Sequence, residues 1–184
     1  MKKAIWMIVA AVAIVAVLLI SSYNGLVAAR AQVEESFSNI DAQLQRRADL
    51  IPNLVETVKG ITEQEKRVVD AVTSARENYL NAGTENEKID ASNQLSTALS
   101  SLLVVVENYP EITSGANFIA LQDELAGTEN RIAQARKNYN ETVKEYNTSI
   151  RKFPRNILAG VFGFESMVYF ETAEENKTAP KVEF

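Results

Sequence analysis

The clearest pattern of apolar and polar positions runs from Phe118 to Phe153. Large residues recur at every seventh position, and mostly small ones stand between them. The large set is Phe118, Leu125, Ile132, Tyr139, Tyr146 and Phe153; the intervening set is Leu121, Thr128, Ala135, Thr142 and Ser149. Such a 3-4 spacing predicts one long helix with a packing seam, and the alternation of sizes favours close antiparallel neighbours.

A second long pattern follows two seven-residue tracks in the N-terminal half. The first track is Leu26, Val33, Ile40, Leu54 and Ile61, and the second is Phe37, Leu44, Ile51 and Val58. Pro52 interrupts this run and must free the carbonyl of Ala48 from its helical donor. Because the apolar phase continues across Pro52, we expect a kinked helix reaching Tyr79. A reversal at Pro52 or near Gly60 would give four long helices instead of three.

Further boundaries come from turn and capping residues. Gly83 should end the first body helix, since glycine is preferred past a helix end. Thr84 with Glu87 matches a capping box that opens the next helix. That helix should close at Tyr109-Pro110, with a loop over residues 111–115 before the long seam helix.

The segment after the seam helix joins basic residues to a short apolar stretch. Pro154 should stop the helix, and an apolar run follows it to Phe170. The residues of interest are Arg151, Lys152, Arg155, Phe162, Phe164 and Phe170. Either the charges complement the helix C-terminus while the apolar part packs on the bundle, or the segment binds a membrane or a partner protein.

The N-terminus predicts a membrane anchor. No charge occurs between Lys3 and Arg30, and residues 4–23 would span about 30 Å as a helix, the thickness of a hydrocarbon core. Trp6 and Tyr23 lie near its ends, where aromatic rings favour the interface. The alternative is a signal peptide cleaved after Ala31. The apolar run, however, is longer than an ordinary signal sequence and lies too far from that site.

The flanking charges predict an orientation. Lys2, Lys3 and the amino terminus lie on one side of the span, and Arg30 follows on the other. The positive-inside rule places the amino terminus in the cytoplasm and the body outside it. We therefore expect a single-pass membrane protein whose body lies outside the cytoplasm.

Composition narrows the function classes. Without Lys2 and Lys3 the chain has 17 basic against 24 acidic residues, which disfavours nucleic acid as a partner. Cysteine and histidine are both absent, so thiolate and imidazole chemistry and the usual zinc sites are excluded. We expect no enzymatic activity, no cofactor, no metal and no small-molecule substrate.

The most unusual chemistry lies on the first body helix, at Asp41, Arg46, Arg47, Asp49 and Asn53. Arg47 falls on the same inward track as Ile40 and Leu54, so its charge needs an acidic partner from a neighbouring helix. This cluster either fixes helix register or contacts another protein.

Two weaker patterns are favoured as structural. The adjacent carboxylates Glu34-Glu35, Asp123-Glu124 and Glu174-Glu175 lack the spacing of a calcium loop. The pairs Tyr139-Asn140 and Tyr146-Asn147 repeat at one heptad, which favours core tyrosines and register-fixing asparagines over a ligand site.

Several blocks carry a family resemblance. They are Tyr23-Asn24-Gly25-Leu26-Val27, the run from Ile40 to Val55 with its Arg-Arg-x-Asp-Leu-Ile-Pro-Asn-Leu-Val core, Glu107-Asn108-Tyr109-Pro110, Gly127–Ile132, the two Tyr-Asn pairs, Phe153-Pro154 and Gly163-Phe164. Together they resemble the LemA family of bacterial membrane proteins. The resemblance implies an N-terminal membrane helix followed by an up-and-down helical bundle, and it implies no catalytic activity.

The sequence thus predicts an all-α chain in three parts: an anchor over residues 1–23, an elongated antiparallel bundle over 24–170, and a flexible polar tail over 171–184. The predicted role is a scaffold or assembly protein of the envelope that binds the bilayer through residues 4–23 and self-associates or binds another envelope protein. The alternatives are an adaptor for a membrane protease or signalling protein, and a membrane-remodelling protein that uses residues 151–170.

Overall fold

The computed structural model describes residues 2–61 and 65–171, and this part of the chain contains helices and no strand. The helices are α1 Lys2–Thr57, α2 Lys66–Asn81, α3 Glu85–Val106, α4 Pro110–Thr113, α5 Ala116–Ser149 and α6 Arg155–Phe162. The predicted all-α helical bundle is confirmed. The predicted polar tail lies outside the described residues, apart from Glu171.

Packing divides the described chain into two compact units. The first, the terminal unit, contains residues 2–38 and 137–169. The second, the central unit, contains residues 39–61, 65–136 and 170–171. Helices α1 and α5 each contribute to both units.

Side-chain bonds give the helix directions in the central unit. Tyr79 of α2 bonds to Asp41 while Arg76 bonds to Ala48, so α2 runs antiparallel to α1. Helix α3 runs parallel to α1, since Lys88 pairs with Asp41 and the later Ser96 with Arg47. Helix α5 is antiparallel again, because its Glu124 and Arg131 pair with Arg46 and Gln43. The unit is therefore an up-and-down four-helix bundle.

The apolar tracks of α1 are buried as the heptad spacing predicts. The buried members on α1 are Leu26, Val33, Phe37, Ile40, Leu44, Ile51 and Leu54, and Val58 just after the helix is also buried. In the central unit, Ile51, Leu54 and Val58 join one core with residues of α2, α3 and α5. Burial of side chains of this size contributes about 1.5–3 kcal/mol each.

Pro52 lies inside α1 without turning the chain. The carbonyl of Ala48, which proline deprives of its helical donor, accepts a 2.8 Å hydrogen bond from Nε of Arg76 on α2. A side chain from the neighbouring helix thus replaces the missing backbone donor.

The expected continuous helix to Tyr79 is wrong, and the four-helix alternative holds. Helix α1 ends at Thr57, the chain turns near Gly60, and α2 begins at Lys66 and returns along α1. The apolar residues of α2, such as Val72 and Ala75, pack against the same core as those of α1. The apolar spacing therefore continues after the turn.

The next boundaries follow their local signals. Thr84 Oγ1 accepts from the backbone N–H of Glu87, and Glu87 accepts from the N–H of Thr84, so the capping box is formed. Hydrogen bonds from the backbone N–H groups of Gly83 and Thr84 lower the pKa of the Glu87 carboxyl. The expected loop over residues 111–115 contains part of a single helical turn, α4, because Pro110 with its fixed φ stands at the first helical position.

In the terminal unit, α1 and the end of α5 pack antiparallel. The rings of Phe37 and Tyr139 lie 5.8 Å apart, and Thr142 Oγ1 bonds to Ser36 Oγ at 2.9 Å. Helix α5 ends at Ser149, so Phe153 is not part of the predicted seam and is 81% exposed. Proline disfavours the α conformation in the residue before it, which takes Phe153 out of the helical track.

The first part of α1 is apolar and uncovered. Its 18-residue apolar window is long enough to cross a membrane, and none of that window is buried within the protein. Burial along α1 begins at Leu26. This segment is therefore not a core helix of the bundle.

Candidate functional site

The most distinctive polar position is Arg47 on α1. It occupies an inward-facing position between the buried Ile40 and Leu54, and it is only 1% exposed. An arginine at such depth requires partners, because an unpaired buried charge is costly.

Residues of α3 and α5 supply those partners. Arg47 Nη1 donates to Ser96 Oγ at 2.8 Å and to Glu129 Oε2 at 3.1 Å. Its Nη2 donates to both the carbonyl and the hydroxyl of Ser92. The inward position of Arg47 in the heptad predicts an acidic partner from another helix. That partner is Glu129, whose side chain is half exposed.

Burial lowers the pKa of the Arg47 guanidinium, while Glu129 raises it. Arginine starts from so high a value that it stays protonated in proteins. Arg47 is therefore a fixed cation that ties α1, α3 and α5 together, unsuited to act as a general base.

Asp41 forms a second inter-helix connection two turns earlier on α1. Its carboxylate accepts a 2.8 Å bond from the Tyr79 hydroxyl of α2 and pairs at 2.6 Å with Lys88 of α3. Burial and the Asp41 carboxylate raise the pKa of Tyr79, so its hydroxyl remains a donor.

The structure does not gather the other predicted residues into one site. Arg46 is exposed and pairs with Glu124 of α5 at 3.0 Å. Asp49 accepts a bond from Gln45 within α1, and Asn53 is exposed on the surface. Arg47 thus joins helices from a buried position and Asp41 from a half-buried one, whereas Arg46, Asp49 and Asn53 are exposed. Their role in register or in binding another protein stays a prediction.

A groove between α3 and α5 opens beside Arg47. It encloses about 400 Å³ and combines apolar walls, such as Leu99, Leu103 and Leu125, with polar groups at Arg47 and Glu129. Arg136 also lines it and stands 4.4 Å from the ring centre of Phe170. Sequence reasoning missed this groove, since no motif marks it.

The predicted segment from Arg151 to Phe170 is divided between the units. Arg151 and Lys152 are exposed, and Arg155 Nη1 bonds to Ser149 Oγ at 2.6 Å. Phe162 and Phe164 both lie against Tyr23 of α1, at 4.8 and 5.8 Å between ring centres. Phe170 belongs to the central unit and is buried.

Asn147 has a role that the heptad pattern did not reveal. Its side-chain amide donates to the carbonyl of Met167 and accepts from the N–H of Met167, both at 2.9 Å. The Tyr139 hydroxyl donates to the carbonyl of Val168. These two seam residues therefore hold the segment after α6 against α5.

Within residues 2–61 and 65–171, no group of three acidic side chains is placed to hold a metal ion. Several polar contacts of this region join helices, such as the Arg47–Glu129 and Asp41–Lys88 ion pairs.

These features are those of a membrane-associated helical bundle. The apolar start of α1 is not buried by the protein, and polar contacts such as Arg47–Glu129 join the helices of the central unit. The LemA family model matches residues 36–184. The chain belongs to the LemA family.

Several individual proteins are similar to this chain, and one of them carries the family's name. Magnetosome proteins MamQ 1 and MamQ 2 of Paramagnetospirillum magneticum are each 28% identical over 190 residues, covering 89% of this chain and 70% of theirs. Magnetosome protein MamQ of Magnetospirillum gryphiswaldense is 26% identical over 83% of this chain and 65% of its own length. Protein LemA of Metamycoplasma hominis is 20% identical over 82% of this chain and 69% of its own.

Proposed function

We propose that this chain is a single-pass protein of the bacterial inner membrane whose extracytoplasmic bundle acts as a non-enzymatic scaffold or assembly protein. Residues 4–23 form the anchor, and Lys2 and Lys3 keep the amino terminus in the cytoplasm. The observation that carries the proposal is the apolar start of α1, which the protein does not bury and which belongs to one unbroken helix up to Thr57.

The polar network supports a positioning role over catalysis. Its contacts at Arg47 and Asp41 connect helices to each other, and the buried Arg47 guanidinium is a fixed cation that does not transfer protons. The relatives named as magnetosome proteins support a role at a membrane. In this proposal the body binds a second copy or another envelope protein.

An adaptor for a membrane protease or signalling protein is the second candidate. The groove between α3 and α5 favours it, because an apolar cleft with a few charged groups is the common form of a binding site. Ser100 lies exposed on this groove and offers a position for a probe.

The test uses the absence of native cysteine. A Ser100→Cys variant, carrying a photoreactive maleimide in intact cells, should form a defined adduct with a second copy or with one envelope protein. A Lys137→Cys variant, on an exposed position of α5, is the matched control and should form less of that adduct. No adduct at either position would contradict the scaffold and adaptor roles alike.

The same variant reports the side of the membrane. A membrane-impermeant thiol reagent should label Ser100→Cys in intact cells to the same extent as in lysed cells. Labelling only after lysis would place the body in the cytoplasm and contradict the proposed orientation.

A further inference from the structure

Helix α6 has two apolar faces, and the protein covers one of them. Leu158 and Ala159 are buried, whereas Ile157 and Val161, one turn apart, are 56% and 72% exposed. Phe153, just before the helix, is 81% exposed. An apolar helix face is normally covered by other parts of a protein or by a membrane. The terminal unit leaves this face uncovered.

Helix α6 lies beside the end of the apolar span of α1. The Phe162 and Phe164 rings lie on Tyr23, the last residue of the 20-residue apolar span that begins at Ala4. A span of that length brings Tyr23 to the edge of a hydrocarbon core of about 30 Å. Helix α6 thus lies beside α1 at the level where the chain leaves the bilayer.

Local contacts hold α6 at this level. The Arg155 guanidinium lies against the backbone at Gly25 and bonds to Ser149, which fixes the beginning of the helix. Gly163 ends the helix with φ of 71°, a conformation that suits glycine. This turn allows residues on both of its sides, Phe162 and Phe164, to reach Tyr23.

Charge distinguishes this segment from the rest of the body. Residues 151–164 contain three basic residues and no acidic one, while the chain as a whole has a net charge of −5. Arg151 and Lys152 are exposed next to Phe153. Basic side chains beside an exposed apolar face are typical of helices that lie in the interface of anionic membranes.

We propose that Phe153 and α6 form an interfacial element whose exposed face lies at the headgroup–acyl boundary of the same bilayer that α1 crosses. This inference rests on the proposed membrane anchor. It assigns to Phe153, Ile157 and Val161 a second attachment to lipid. Phe170, buried in the central unit, does not belong to this surface.

The single tryptophan, Trp6, makes a direct test possible. The full-length chain is reconstituted into phosphatidylcholine–phosphatidylglycerol vesicles that contain lipids brominated close to the headgroup. One variant carries Trp6→Phe with Val161→Trp. The matched control carries Trp6→Phe with Val104→Trp, at an exposed apolar position of α3. The unsubstituted chain reports on the anchor through Trp6.

We expect brominated lipid to quench the Val161→Trp emission by about twofold or more, since interfacial helices lie about 5–10 Å deep. The Val104→Trp emission should be unaffected. Quenching of Trp6 without quenching of Val161→Trp would overturn the inference and leave the anchor intact. A blue-shifted but unquenched Val161→Trp would also overturn it, because protein would then cover the face. Failure to quench Trp6 would overturn the anchor itself.

Discussion

Replacing Ile132 by Ala is expected to lower the free energy of unfolding by about 2–5 kcal/mol. Ile132 is completely buried on α5, so the substitution loses the transfer free energy of the removed groups and leaves a cavity. The comparison is made by urea unfolding, followed through helical circular dichroism, of the body from Ser22 onward. That body keeps Tyr23 and omits most of the uncovered apolar segment.

Lys137 on the same helix is the control, because it is exposed. Lys137→Ala should change the free energy of unfolding by less than about 0.5 kcal/mol. Equal shifts of the urea midpoint in the two variants would show that the seam of α5 has another register.

Replacing Glu129 by Ala is expected to destabilise the body by about 1–3 kcal/mol, because it leaves the buried Arg47 cation without its carboxylate. The expected loss is below that for a fully buried pair, since the Glu129 side chain is half exposed and screened by water. The measurement is again urea unfolding, at neutral pH.

A double-mutant cycle separates the charge from other effects. Arg47→Met keeps an apolar stem but removes the cation, so Glu129→Ala should cost less in the Arg47→Met background than in the original chain. Asp123→Ala, at an exposed position on α5, should cost less than about 0.5 kcal/mol. Equal costs of Glu129→Ala in both backgrounds would mean that the pair contributes nothing to stability.

Some of the contacts of Arg47 can be predicted from the sequence, and others cannot. Its heptad position predicts inward orientation, and the cost of a buried charge predicts an acidic partner. The choice of Glu129, and the role of Ser92 and Ser96, depend on how α3 and α5 are placed around α1. Heptad spacing says nothing about that placement.

The turn near Gly60 shows where periodicity fails. A helix that continues and a helix that reverses onto the same core can show the same spacing of apolar residues. The spacing therefore does not distinguish a bundle of three long helices from one of four. Pro52 is the residue in this region that most disfavours a helix, yet α1 continues past it because Arg76 donates a hydrogen bond to the freed carbonyl of Ala48. That compensating donor is remote in sequence.

The region after α5 departs from prediction for a local reason. Phe153 continues the seven-residue spacing, but the residue before a proline avoids the helical conformation, and Phe153 ends exposed. Asn147 and Tyr139 were expected to act along the seam, and they also bind the backbone of Met167 and Val168. Backbone partners of this kind leave no mark in the side-chain pattern.

The mass of the protein extracted from alkaline-washed membranes tests most directly whether the apolar part of α1 is retained and anchors the bundle in the membrane. We expect the protein to stay in the washed membranes and its mass to include residues 4–20. A soluble protein whose first residue is Gln32 would contradict it, because the apolar part of α1 would then be a cleaved signal peptide.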